Sequence, residues 1–268
     1  GATFKNIVIV ETTITGNGDV GAVCGNASSS TFSNCKVTAT INAKGNTVGG
    51  IAGSASGTFN NNKVTNTTIN GIDNVGGIVG YTQNSTFTSN DVSATIGGKN
   101  QVGGILGNSS SDCCSFDNNI VKCNIVGVDN VGGLIGIMQA GDLSLKKCAF
   151  YGTIKAHSRV GGVIGLFDAG MRTVGNCDIS NCYSICDIQA TGDRIGGILG
   201  HKEGGYFASW SISNSYHSGN ILGGVNVGGI VGDANCVSIT KCQSLGSVNA
   251  NSHVGGVVGC ISGNGYQD

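Results

Sequence analysis

The sequence predicts an all-β chain: a single-stranded right-handed parallel β-helix (β-solenoid) of about nine coils, each of roughly 27 residues and three short strands. Three observations carry this expectation. The hexapeptide Val-Gly-Gly-Ile-Val-Gly, or a near copy, begins at Val20, Val48, Val75, Val102, Val131, Val160, Ile195, Val227 and Val254, at intervals of 28, 27, 27, 29, 29, 35, 32 and 27 residues. One large apolar residue recurs at a matching place in each repeat. Proline is absent from all 268 residues, as suits strands whose N–H groups must each bond to a neighbouring coil.

The first strand of each repeat opens on the column Phe4, Phe32, Phe59, Phe87, Phe116, Leu145, Ile179, Ile212 and Ile239. The second centres on Ile41, Ile69, Ile96, Ile125, Ile154, Ile188, Ile221 and Val248. The hexapeptide is read as the third. Turns of Gly, Asn, Ser and Asp separate them, and each coil buries its apolar column only by stacking on its neighbours. Propeller blades need about 40 residues, and leucine-rich repeats need a leucine skeleton that is missing here. Helical repeats fail because the apolar positions alternate with Thr, Ser and Gly, and 48 glycines would weaken any helix. The domain expectation is one continuous β-solenoid over residues 1–268, a segment of a longer chain or a filament subunit, on the order of 45 Å long at ~4.8 Å per coil.

Composition bounds the partners. With 14 basic and 15 acidic side chains and 11% charged residues, no basic stripe exists to follow a phosphate backbone, so nucleic acid is not expected. No run approaches 18 apolar residues, so no membrane span is expected. Twelve cysteines without a CxxC pair in a Ser/Thr/Asn-rich chain point to an oxidising compartment. Cys148 and Cys182 fill the same column of adjacent coils, ~4.8 Å apart at Cα, and are read either as a disulfide or as small buried residues replacing Asn62, Asn90 and Asn119. Cys236 with Cys260 is a weaker candidate pair. Sequons at Asn26, Asn66, Asn84 and Asn108 are candidate glycosylation sites on exposed positions.

The unit Asn181-Cys182-Tyr183, followed by Ala190-Thr191-Gly192 and by the hexapeptide from Ile195 to Gly200, resembles the GLUG motif. Asn214-Ser215-Tyr216-His217-Ser218-Gly219 before Val227 is an equally close match. The resemblance covers all nine repeats at the hexapeptide and first-strand positions. Proteins carrying this repeat are similar in being secreted or surface-bound, including adhesins, filaments and the non-catalytic stalks of surface metallopeptidases. The resemblance implies an extracellular or cell-surface β-helix and transfers no catalytic residue, since His-Glu-x-x-His is absent.

No catalytic set, metal site or cofactor is expected. His157, His201, His217 and His253 lie in different coils and are read as scattered surface residues, and only Glu11 and Glu203 supply glutamate. A polysaccharide-processing β-helix would need carboxylates gathered on one face within about 5 to 10 Å. Asp168, Asp187 and Asp193 are near one another in sequence but fall on different features.

The breaks in periodicity are more informative. The two longest intervals come from consecutive insertions after the hexapeptide, from Leu166 to Cys177 and from His201 to Trp210, which should stack on one edge. They hold Phe167, Asp168, Met171, Arg172, His201, Lys202, Glu203, Tyr206, Phe207 and the sole tryptophan, Trp210, a set suited to a sugar or peptide ligand or to covering an adjoining surface. Strict alternation along the hexapeptide would also turn Ile51, Ile78, Ile105, Leu134, Val163, Ile198 and Ile230 outward as a self-association stripe, unless the Gly-Gly pair bends the chain and buries them. The functional expectation is a non-enzymatic structural or adhesive element that self-associates or joins neighbouring domains, with a glycan or host surface as ligand. The alternatives are a carbohydrate-binding or polysaccharide-degrading β-helix and, through the threonines at 38, 40, 68 and 95, ice binding.

Overall fold

A computed structural model describes residues 1–110, 113–139, 141–169, 176–204 and 210–262. The described residues form 36 strands and no helix, so no helix is long and apolar enough to cross a membrane. All pairing is parallel, and the strands make three sheets of 16, 11 and 9 members. The chain is a β-solenoid whose coils stack along three faces.

One coil shows the path. Asp73–Gly76 lies on the nine-stranded sheet, Val79–Thr82 and Ser85–Thr88 on the 16-stranded sheet, and Asp91–Gly97 on the 11-stranded sheet. In earlier coils the two segments of the 16-stranded sheet are one strand, Cys24–Ser33 or Ala52–Asn60. The nine-stranded sheet carries the opening Val-Gly of every hexapeptide in register, from Asp19–Gly21 to Ser252–Gly255, so eight steps separate its strands.

The hexapeptide is therefore a corner rather than a strand. Val75 and Gly76 end one face, Gly77 and Ile78 make the turn, and Val79 and Gly80 begin the next. Steric room explains the glycines. A Cβ on Gly76, Gly77 or Gly80 would fall within 3.0 Å of backbone atoms of Val79, Gly104 or Val48 respectively. The turn directs the fourth hexapeptide residue into the interior, and Ile51, Ile78, Ile105, Leu134, Val163, Ile198 and Ile230 are all fully buried. Of the two alternatives read from the sequence, the outward self-association stripe is therefore not formed and the Gly-Gly bend is. The alternation rule assumes an unbroken pleat, and the Gly-Gly corner interrupts it.

Two further features hold the coils in register. Phe4, Phe32, Phe59, Phe87 and Phe116 form a continuous stack with ring centroids 4.8, 4.8, 5.0 and 4.7 Å apart and planes within 9°. At the next corner, residues such as Asn34, Asn61, Asn118 and Asn181 take left-handed φ near 54°, a conformation asparagine tolerates well. Behind it runs an interior ladder: Asn62 Nδ2 donates to Asn90 Oδ1 at 3.0 Å, Asn90 Nδ2 to Asn119 Oδ1 at 2.9 Å, and each also reaches a carbonyl of the coil before it, Phe32 and Phe59 respectively. The ladder satisfies buried polar groups that would otherwise cost about 1 to 3 kcal/mol each.

Candidate functional site

The cysteines continue the asparagine ladder. Asn119 Nδ2 donates to Cys148 Sγ at 3.6 Å, Cys148 Sγ donates to the Lys146 carbonyl at 3.2 Å, and Cys182 Sγ lies 3.5 Å from the Leu145 carbonyl. The two thiols stand at neighbouring positions of successive coils, where the interaction with Cys182 lowers the pKa of Cys148 and burial keeps Cys182 well above the ordinary thiol range. All twelve cysteines are free, so of the two readings of Cys148 and Cys182 the disulfide is not formed and the small buried residue in the asparagine column is what stands there. Each thiol instead occupies the corner position an asparagine amide fills elsewhere. Cys236 and Cys260 are not bonded either, because Cys260 pairs with Asp233 and leaves Cys236 three positions further along.

Three sequons sit on exposed asparagines. Asn26 donates to Asp19 Oδ2 at 2.7 Å, Asn66 occupies a left-handed bulge, and Asn84 accepts from the Cys113 amide. Asn108 differs from expectation, being half-buried with its Nδ2 engaged by Asn74 Oδ1 at 2.9 Å.

Both long insertions open at the same place, between the strand that follows the corner and the strand of the Phe column. Ile164–Asp168 and Leu199–Glu203 pair in register before them, and Cys177–Ser180 and Trp210–Ser213 pair after them. Met171, Arg172, Tyr206 and Phe207 lie outside the described residues. Among the others, the expectation of an exposed aromatic and charged surface needs correction. Phe167, Lys202, Trp210 and His201 are buried, with Phe167 packed edge-on to Trp210 at 4.0 Å, while Asp168 is half-buried and Glu203 exposed. The register explains two of these, since Ser109, Met138, Phe167 and Lys202 occupy one inward column, whereas His201 lies on the other parity beside Leu166 and Asp233.

Lys202 is thus an interior lysine, 1% exposed. Its Nζ donates to the Gly204 carbonyl at 2.8 Å and to Asn235 Oδ1 at 2.7 Å, and it lies 5.1 Å over the Trp210 ring. Desolvation lowers its pKa.

On the opposite side of the same strands lies a charged cluster that the sequence reading missed. Asp233, only 3% exposed, accepts the Ser262 hydroxyl at 2.6 Å, its carboxylate lies 3.4 Å from Arg194 Nε and 3.7 Å from His201 Nδ1, and its backbone carbonyl is 3.2 Å from the same Nδ1. Arg194 also reaches Asp193 at 3.7 Å, and His201 Nε2 lies 3.9 Å from Glu203. Burial, followed by the nearby Arg194 charge, lowers the pKa of His201. Three carboxylates, Asp193 and Glu203 of one coil and Asp233 of the next, therefore surround one guanidinium and an imidazole held toward its neutral form. The signal was the outward column Leu166, His201, Asp233, in which apolar residues give way to charge.

The remaining histidines divide. His157 and His253 are exposed and bonded to Thr191 and Asn226 at 2.8 Å. His217 is fully buried, bonded through Nδ1 to Ser184 at 3.2 Å, with Nε2 lacking a partner among the described residues, so it is not the surface residue expected. Among the described residues no group of three His, Cys, Asp or Glu side chains could hold a metal ion. No family model, curated protein or solved structure matches the chain.

Proposed function

We propose that the chain is a non-enzymatic structural or adhesive β-solenoid of an extracellular surface, acting as a filament subunit or an adhesin stalk. The observation that carries this reading is the use to which the repeated residues are put. The hexapeptide glycines, the phenylalanine stack and the asparagine ladder are all engaged in stacking coil on coil, and a fold that grows by addition serves length and rigidity. Three exposed sequons and the resemblance to GLUG-repeat surface proteins support the location. In an oxidising compartment, Cys148 and Cys182 are the pair whose neighbouring positions favour bridging. Self-association or docking to neighbouring domains, and a glycan or host surface as ligand, complete the reading.

A second reading, a carbohydrate-binding or polysaccharide-degrading β-helix, draws support from one observation: Asp193, Glu203 and Asp233 gather around Arg194 and His201 on successive coils. The ion pairing and burial of Asp233 favour a structural use of the cluster, since a general acid must reach its substrate. Ice binding draws less, because the outward threonines break at the Asn66 bulge and give way to Lys122 and Tyr151. A glycan array followed by chromatography of any bound polysaccharide after incubation separates the readings. Binding without chain shortening supports the adhesive reading, and shortening that is lost in Asp233→Asn and Glu203→Gln supports the enzyme.

A further inference from the structure

We propose that Lys202 and Asn235 become joined by an amide bond between lysine Nζ and asparagine Cγ, covalently stapling two successive coils. The two side chains meet inside the solenoid, with Nζ 2.7 Å from Oδ1 and the residues 1% and 7% exposed. The contact is to the oxygen of the same carboxamide whose carbon the amine would attack, and the paired strands Leu199–Glu203 and Val231–Asp233, in register through His201 and Asp233, bring the two residues to one place in the interior. Trp210 closes one side, and among the described residues no carboxylate pairs with the ammonium. Burial lowers the lysine pKa toward the neutral amine, whose lone pair is the nucleophile.

The step balances without a co-reactant. The Nζ lone pair forms the new C–N bond at Cγ, and the Cγ–Nδ2 bond breaks. One Nζ proton passes to the departing nitrogen, which leaves as ammonia. No electron is gained or lost, so the bond survives reduction, unlike a disulfide.

Intact-mass spectrometry of the purified full chain, denatured and reduced, tests the proposal, with peptide mapping to locate any change. The expected result is a chain lighter by one ammonia, with a branched peptide linking Lys202 to Asn235. Two variants should restore the full mass: Lys202→Met, which copies Met138 of the same column, and Asn235→Ala. Circular dichroism would confirm that the variants keep the β-fold. Full mass in the parent chain after prolonged incubation, with the two peptides recovered separately, overturns the proposal. So does an ammonia loss that maps to succinimide formation at Asn17-Gly18, Asn70-Gly71 or Asn264-Gly265.

Discussion

Phe150 packs across the interior against Gly133, so closely that a Cβ on Gly133 would lie 2.5 Å from Phe150 Cγ. The second glycine of the hexapeptide meets the 11-stranded sheet in this way in coil after coil. Gly50 faces Val64, Gly77 faces Val92, Gly104 faces Val121, Gly162 faces Ser184, Gly197 faces His217 and Gly229 faces Ser244. The interior is thin here, and glycine holds this position in every repeat but the first, where Ala22 stands at the end of the stack.

Gly133→Ala is accordingly expected to cost about 1 to 3 kcal/mol through overpacking, since the aromatic ring and the Gly162 carbonyl both obstruct the added carbon. Gly18→Ala, where nothing lies within 4 Å, should change stability by less than about 0.5 kcal/mol. Guanidinium unfolding of the two variants compares them directly. Equal losses would refute the corner account of the motif.

His217 should make the fold acid-sensitive. Burial pushes its imidazole from the ordinary 6.5 down to about 4. Because the folded value lies below the unfolded one, the unfolded chain binds more protons within that window. The stabilising contribution is therefore present above about pH 6.5, declines as the pH falls, and is gone below about pH 4, a change on the order of 3 kcal/mol. His217→Ser, which matches Ser184 and Ser244 in the same column, should flatten stability between those limits. An unchanged pH profile in that variant would assign the sensitivity to another group.

The asparagine ladder makes a prediction about substitution type. Asn90→Ala leaves the Asn62 amide and the Phe59 carbonyl without their bonds inside the solenoid, for an expected loss of about 2 to 4 kcal/mol. Asn90→Cys should lose less, since Cys35, Cys148 and Cys182 already serve at this corner. Thermal unfolding of both variants settles the order, and a cysteine variant as unstable as the alanine would mean that shape rather than bonding matters.

The paired thiols are open to titration. Mild oxidation should consume two thiols at Cys148 and Cys182 and leave the other buried cysteines intact, which peptide mapping under non-reducing conditions would reveal. Scattered pairing would show that their adjacency gives no selectivity.

Much of this architecture was legible in the residues. The nine hexapeptide starts mark the nine-stranded sheet, and the Phe column marks the stack, because each is a local pattern repeated at the period of the coil. The corner was legible only as one of two alternatives, because alternation through two glycines turns Ile78 outward and a Gly-Gly bend turns it inward, and the sequence alone does not choose between them. Lys202 was misplaced for a related reason. A lysine beside an insertion reads as solvated, yet counting from Leu199 puts it in line with Met138 and Phe167. Asp233 carried no signal by itself, and only stacking brings it to Arg194 and His201.

The central claim is that these coils serve as a structural element on a cell surface. Electron microscopy of the native source material, labelled with gold-tagged antibody raised against this chain, tests it most directly. The account predicts label along thin filaments or projecting stalks outside the cell. Label confined to the cell interior, or on dispersed particles that shorten polysaccharide, would contradict it.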